Sequence, residues 1–331
     1  MRCFGGGRLA GHSREVPTVL FSAARSASRR LADGPRLDRA IPIDTTSTSP
    51  IRAAFELTKP GITAYVMITT GASALVTAGG EASAALVLNT MLGTGLSTAG
   101  ALALNQYAER AFDAVMVRTR HRPLPSGRLT PGQALGIGIA LLVVGLPYLA
   151  VASGWWPAAI AAVSALAYLG GYTPLKTRSY WATLMGAIPG AFPTLIGSTA
   201  AAGVVEPVGL SLFAIAYLWQ LPHVLGLAWM LREDYAKVGF RLIPPGGGDV
   251  IGRHMVVATG LLLPVCTLPT VVGATGAFYA VGALLASGGF VSVAVVAARD
   301  LTDVKARKLF LASLLYHPVL LGLMLLDALG G

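Results

Sequence analysis

Three oxygen-bearing side chains, Asn105, Glu109 and Asp113, recur at i, i+4 and i+8 in the run Asn105-Gln-Tyr-Ala-Glu109-Arg-Ala-Phe-Asp113. On a helix that spacing draws them into one stripe about 12 Å long. Hard oxygen ligands on one face suit a divalent cation such as Mg2+. That ion takes one or two carboxylates and completes its shell with water and phosphate oxygens, so the implied ligand is phosphorylated. Arg118, Arg122 and Arg128 follow in the same charged segment, and guanidinium forks match phosphate oxygens. Acids holding Mg2+ beside arginines make a diphosphate site. The segment also reads as a helix end flanked by surface charges and topogenic arginines, and spacing alone does not choose between the two.

A second acidic segment, Arg232-Glu233-Asp234-Tyr235-Ala-Lys237, follows Trp219-Gln220-Leu-Pro222-His223. Asp234 is placed to hold a second Mg2+ and clamp a diphosphate from the opposite side. Between the two acidic segments lies Tyr172-Thr173-Pro174-Leu-Lys176-Thr-Arg178. Lys176 and Arg178 are further phosphate ligands there, unless the stretch is only a short topogenic loop. His223 falls inside an apolar run, where a polar side chain is a functional candidate by default; a hydrogen bond to a neighbouring helix is the other reading. His317, before Pro318, presents a weaker case, and His121 reads as a loop residue near phosphate.

The elements that would position these residues are membrane helices. Of 331 residues, 54% are hydrophobic and 12% charged, about half the charge fraction of soluble domains. Few charges suffice where lipid covers the surface, and the 40 glycines suit close helix packing. Apolar runs of spanning length fall near 61–79, 84–104, 133–152, 155–173, 182–200, 208–230, 255–273, 277–297 and 309–328, predicting about nine transmembrane helices in one all-α domain, 51–331. With the N-terminus cytoplasmic, all 25 Lys and Arg fall on the inner side, while Glu81, Glu206 and Asp327 lie opposite. Positive charge resists translocation, so this asymmetry sets the orientation and puts the C-terminus outside. It also accounts for the net charge of +10 without nucleic acid. Residues 1–50 read as a disordered basic tail. The stretch Arg25 to Arg39 also fits a mitochondrial transit peptide, against which Glu15, Asp33 and Asp38 count; a bacterial cytoplasmic tail is the preferred reading. Cys3 and Cys266 suggest neither a disulfide framework nor a thiolate metal site. A transporter would want charge near the midplane, and the acids here sit near the ends of spans.

The chain resembles the UbiA-type prenyltransferases. Asn105-X3-Glu109-X3-Asp113 with Arg118, Arg122-Pro123-Leu and Gly127-Arg128 resembles the family's first acidic motif. Tyr172-Thr173-Pro174-Leu-Lys176 and Gly186-Ala-Ile-Pro189-Gly190-Ala-Phe-Pro193 resemble its central segment. Leu57-Thr58-Lys59-Pro60, Trp219-Gln220-Leu-Pro222-His223, Leu227-Ala228-Trp229 and Asp234-Tyr235-X2-Val-Gly239 are similar to its haem O synthase branch, and the likeness covers roughly 53–328. Val238 stands where many members carry another acid, a place where this branch also tends to lack one.

The resemblance implies a helical bundle with a lipid-facing chamber under a cytoplasmic cap. It implies Mg2+-dependent transfer of farnesyl from farnesyl diphosphate to haem B, giving haem O for terminal oxidases, with haem A synthase as a partner. Asn105, Glu109, Asp113 and Asp234 would hold Mg2+. Arg118, Arg122, Arg128, Lys176 and Arg178 would hold diphosphate, Tyr172 would line the cationic centre, and His223 would bind haem. The expected location is the bacterial plasma membrane, with the mitochondrial inner membrane as alternative. An aromatic quinone precursor is the rival acceptor, and a non-catalytic haem-holding assembly factor the rival of another class.

Overall fold

The computed structural model describes residues 49–330; nearly all of the basic tail, and the readings placed on it, lie outside the described residues. Every regular element among the described residues is helical. In chain order they are α1 (Pro50–Leu57), α2 (Pro60–Thr77), α3 (Ala84–Val115), α4 (Pro131–Ser153), α5 (Trp155–Leu166), α6 (Trp181–Ala202), α7 (Pro207–Met230), α8 (Arg232–Lys237), α9 (Gly247–Val265), α10 (Leu268–Val271), α11 (Ala277–Ala298) and α12 (Asp303–Gly330). Helix α5 runs on through a π-helical stretch, Ala167–Tyr172, into the short turn Thr173–Leu175.

Eight helices among the described residues are long and apolar enough to cross a membrane. They match eight of the nine expected spans. The ninth, expected at 61–79, is the helix α2, and it falls short in apolarity because Thr63, Thr69, Thr70, Ser73 and Thr77 interrupt it. Its stretch from Thr69 to Ala74 is buried by neighbouring helices, so α2 needs less apolar surface than a lipid-facing span. The outer faces of the other helices present large aliphatic side chains such as Val151, Leu285 and Leu315, each at least two-thirds exposed. That surface suits lipid, and helices suit it because each satisfies its own backbone hydrogen bonds.

Close packing shows most clearly between α3 and α4. A Cβ on Gly100 would stand 2.9 Å from the Gly138 carbonyl oxygen, and one on Gly145 would stand 2.8 Å from the Ser97 nitrogen. Glycine lets these two backbones touch, which is how membrane helices gain dispersion contacts without a hydrophobic drive between them.

Two features prepare the site. First, α3 continues about three turns past the expected end of its span, so Asn105, Glu109 and Asp113 all lie on one unbroken helix. Second, the segments after α3, after α5 and around α8 join in a cap. Met116, Ala182, Ala228, Tyr235, Phe240 and Leu242 form its buried cluster. The Arg241 N–H donates to the Lys176 carbonyl at 2.6 Å, and the Thr183 hydroxyl donates to the Leu242 carbonyl at 3.2 Å.

Candidate active site

Asn105, Glu109 and Asp113 are 1%, 5% and 1% exposed. Carboxylates so enclosed require compensation, and each has it from another part of the chain. Glu109 pairs with Lys176, itself 5% exposed. Asp113 takes both oxygens to one Arg122 nitrogen at 2.8 and 2.7 Å. The Asn105 amide donates to Glu109 at 2.7 Å and to the Thr173 hydroxyl at 3.1 Å, and its carbonyl oxygen accepts the Tyr168 hydroxyl at 3.2 Å. The i, i+4, i+8 stripe is therefore the spine of a buried polar network.

The π-helical stretch sets the opposite wall. π-Helical turns concentrate at functional sites, and this one stacks Tyr168 on Tyr172 with centroids 5.5 Å apart. The Lys176 ammonium lies 4.6 Å from the centre of the Tyr172 ring and 4.9 Å from that of Phe240, within the range of cation–π attraction.

Lys59 was absent from the sequence-predicted site. It stands between α1 and α2 with φ of 49°, the one positive φ on a non-glycine residue among those described. A left-handed lysine is strained, and such strain tends to persist at functional sites. Its ammonium donates to the Asn105 carbonyl oxygen at 3.4 Å. Burial, then the neighbouring Arg122 charge, lowers its pKa to about 7. The available signal was Lys59-Pro60 at the start of the first apolar run.

Other expected ligands lie further out. Asp234 accepts from Lys237 at 2.8 Å and from the Arg118 N–H at 3.4 Å, linking α8 to the segment after α3. The Lys237 hydrogen bond holds its carboxyl below the usual carboxylate range. Arg118 and Arg178 are exposed. Arg128 is turned toward α1, where it pairs with Glu56 at 2.6 Å.

Beside this network lies a cavity of about 570 Å3. Tyr168 and Tyr172 belong to its lining, together with Tyr65, Trp219, His223 and His317. Trp219 stacks on both imidazoles, at 5.4 Å from His223 and 4.4 Å from His317. The Tyr65 hydroxyl and His317 Nδ1 are 2.5 Å apart. His223, singled out in the sequence, thus faces the chamber, and His317 does so as well.

The donor set fits Mg2+ in chemistry. It offers hard oxygens, and each acid is now balanced by a cation that a diphosphate would draw toward itself. Among the described residues no three His, Cys, Asp or Glu side chains converge into a complete metal cage. Further ligands would have to come from water and phosphate, as Mg2+ sites usually arrange.

The family model of UbiA prenyltransferases matches residues 66–316. The chain belongs to this family. A relative from Solibacter usitatus, named protohaem IX farnesyltransferase, is 42% identical over 288 residues, 84% of this chain and 99% of the relative. One of the same name from Myxococcus xanthus is 40% identical over 273 residues, covering 82% and 92%. A solved structure of digeranylgeranylglyceryl phosphate synthase matches with a TM-score of 0.73 at 17% identity, over 86% of this chain and 100% of that one. A UbiA homologue from Archaeoglobus fulgidus bound to GPP and Mg2+ matches at 0.53 and 14%, over 82% and 99%. At such identities the likeness shows the fold, a helical bundle of the same kind. The chain is an integral membrane prenyltransferase.

Proposed function

We propose that the chain transfers the farnesyl group of farnesyl diphosphate to a vinyl group of protohaem IX, giving haem O. The observation that carries this reading is the junction of a buried acid–base network with a ring-lined chamber that displays two imidazoles. The network suits a diphosphate and the chamber suits a large flat acceptor with a lipid tail beside it. The names of the relatives at about 40% identity point to the same pair of substrates.

Asn105, Glu109, Asp113 and Asp234 would hold Mg2+, directly or through water. When bound, the ion supplies positive charge opposite the diphosphate. Lys176 and Arg122, relieved of part of their duty to Glu109 and Asp113, turn their donors to phosphate oxygens, with Arg118 and Arg178 at the outer edge and Arg128, paired with Glu56, outside the set. These fixed donors meet charge as it builds on the departing diphosphate, where exclusion of water makes them most effective. The allylic C–O bond breaks, and the electron pair leaves with the diphosphate. The ring face of Tyr172 borders the electron-poor carbon. The vinyl group of the haem forms the new C–C bond, and water adds to the resulting cation, losing a proton, to leave a hydroxyethylfarnesyl group. His223 orients the haem.

The positive side of the bundle is assigned to the cytoplasm of a bacterial plasma membrane, with α2 counted as a ninth crossing; only then do all Lys and Arg share one face. Haem O would pass to haem A synthase. The test is incubation of the detergent-purified protein with haem B, farnesyl diphosphate and Mg2+, followed by mass spectrometry of extracted haem. The expected product is a haem heavier by farnesyl plus hydroxyl and absent when Mg2+ is chelated. Unmodified haem together with prenylation of an aromatic quinone precursor would overturn the acceptor.

A further inference from the structure

Ser313 of α12 makes three hydrogen bonds at the chamber wall. Its carbonyl accepts the Trp219 indole N–H at 2.6 Å. Its hydroxyl lies 2.6 Å from the Phe310 carbonyl oxygen and 2.9 Å from His223 Nδ1. A serine hydroxyl has one proton to give. Two oxygens 2.6 Å apart require a proton between them, since bare lone pairs at that separation repel. The Ser313 proton is therefore committed to Phe310, and the hydroxyl can only accept from His223. Nδ1 of His223 must then carry hydrogen. The ring has no carboxylate among its described partners to support a positive charge, and a lone charge in an apolar wall is costly. A neutral imidazole protonated at Nδ1 has a lone pair at Nε2. That atom has no partner among the described residues, is not among the enclosed unpartnered atoms, and belongs to a residue that lines the chamber.

We propose that Ser313 is a positioning residue that fixes His223 in the Nδ1–H tautomer and aims its Nε2 lone pair at the iron of the haem substrate. This rests on the protohaem reading above. Trp219 on one side, held by the same Ser313, and Phe310, stacked on His223 at 4.7 Å, keep the ring plane fixed. An imidazole that donates through its far nitrogen is a stronger iron ligand, and loss of such a partner costs about 10- to 100-fold in affinity. Anchoring the iron fixes the reach of the vinyl group toward the diphosphate end.

Two measurements on the full chain in detergent separate the proposal from the reading beneath it. Nitrogen-15 NMR of histidine-labelled, haem-free protein, assigned with His223→Ala, should show His223 protonated at Nδ1; protonation at Nε2 overturns the proposal whatever the acceptor. Ferrous haem B is then added and the iron–imidazole stretch followed by resonance Raman spectroscopy. His223→Ala should abolish the band. Ser313→Ala should keep it at lower frequency with haem binding weakened about tenfold, and Ser313→Thr, which keeps the hydroxyl, should restore both. A wild-type band and affinity in Ser313→Ala overturns the positioning role alone. A band lost in His317→Ala but kept in His223→Ala overturns the ligand assignment. Wild-type protein that binds a farnesyl diphosphate analogue but no haem overturns the acceptor reading, and the proposal with it.

Discussion

The candidate site's two boundaries, a charge network and the ring-lined chamber beside it, are made of opposite materials. At the capped end, Glu109 pairs with Lys176 and Asp113 with Arg122, and Lys59 joins them through a hydrogen bond to Asn105. Along the wall, Tyr65, Trp219, His223 and His317 offer rings and hydrogen-bonding atoms, with no carboxylate or ammonium among them. The charged end has force and little shape. Its pairs can be exchanged for pairs with phosphate, because Coulomb attraction is tolerant of direction. The wall has shape and little force. It must recognise by stacking and by one or two aimed atoms. An enzyme that joins a diphosphate-activated chain to a flat apolar acceptor needs both, and keeping them apart lets the leaving group be neutralised without burying charge beside the acceptor.

That division can be broken most severely at Asp113. Asp113→Ala removes a carboxylate proposed to hold Mg2+ and leaves Arg122 without its partner. Turnover should fall by about 10³-fold, the scale of losing one preorganised electrostatic group. Haem binding, followed by optical titration, should stay within about twofold of wild type, with thermal unfolding measured alongside to show the bundle intact. Equal loss of haem binding would mean that the two boundaries are one site.

Lys59 sharpens the comparison next. Lys59→Met removes the charge beside Asn105 and should lower kcat/KM for farnesyl diphosphate by about 10²-fold while the KM for haem stays constant. Lys59→Gly removes the same charge and also relieves the left-handed backbone. Equal losses in the two variants would assign the effect to charge; a milder loss in the glycine variant would assign part of it to strain.

Gly186 tests the seam between the boundaries. A Cβ there would stand 2.7 Å from Cδ2 of Tyr172. Gly186→Ala should displace that ring and cost about 1–3 kcal/mol in packing, with kcat lowered roughly tenfold and farnesyl diphosphate affinity changed less. Steady-state kinetics and a melting curve give both numbers.

Much of the charged end was legible from the sequence, and little of the wall. Asn105, Glu109 and Asp113 announce themselves because helical spacing converts directly into one stripe, and few other carboxylates compete for attention in such an apolar chain. The spans were legible as long apolar runs, α2 among them, although α2 hides its hydroxyl face inside the bundle and so carries a weaker apolar signal. Lys59 was missed because its role depends on a backbone turn that only packing enforces. The π-helical stretch was missed because it departs from the period on which pattern reading relies. Ser313 was invisible: a serine in an apolar helix has no signature, and its meaning comes from Trp219 and His223, about 90 residues earlier.

Arg128 gives the smallest expected effect and the finest test of where the charged end stops. By sequence it belongs with Arg118 and Arg122 as a diphosphate ligand. In the structure it is one-quarter exposed, pairs with Glu56 of α1 and donates to the His121 carbonyl at 2.7 Å. A pair this exposed is worth at most about 1 kcal/mol. Arg128→Ala should therefore lower the melting temperature slightly and change kcat/KM for farnesyl diphosphate by less than about threefold. Arg122→Ala, which frees the buried Asp113, should cost far more. If the two arginine variants lose activity equally, the charged end extends across the segment after α3 to α1, and the short helix that opens the described chain becomes part of the diphosphate site.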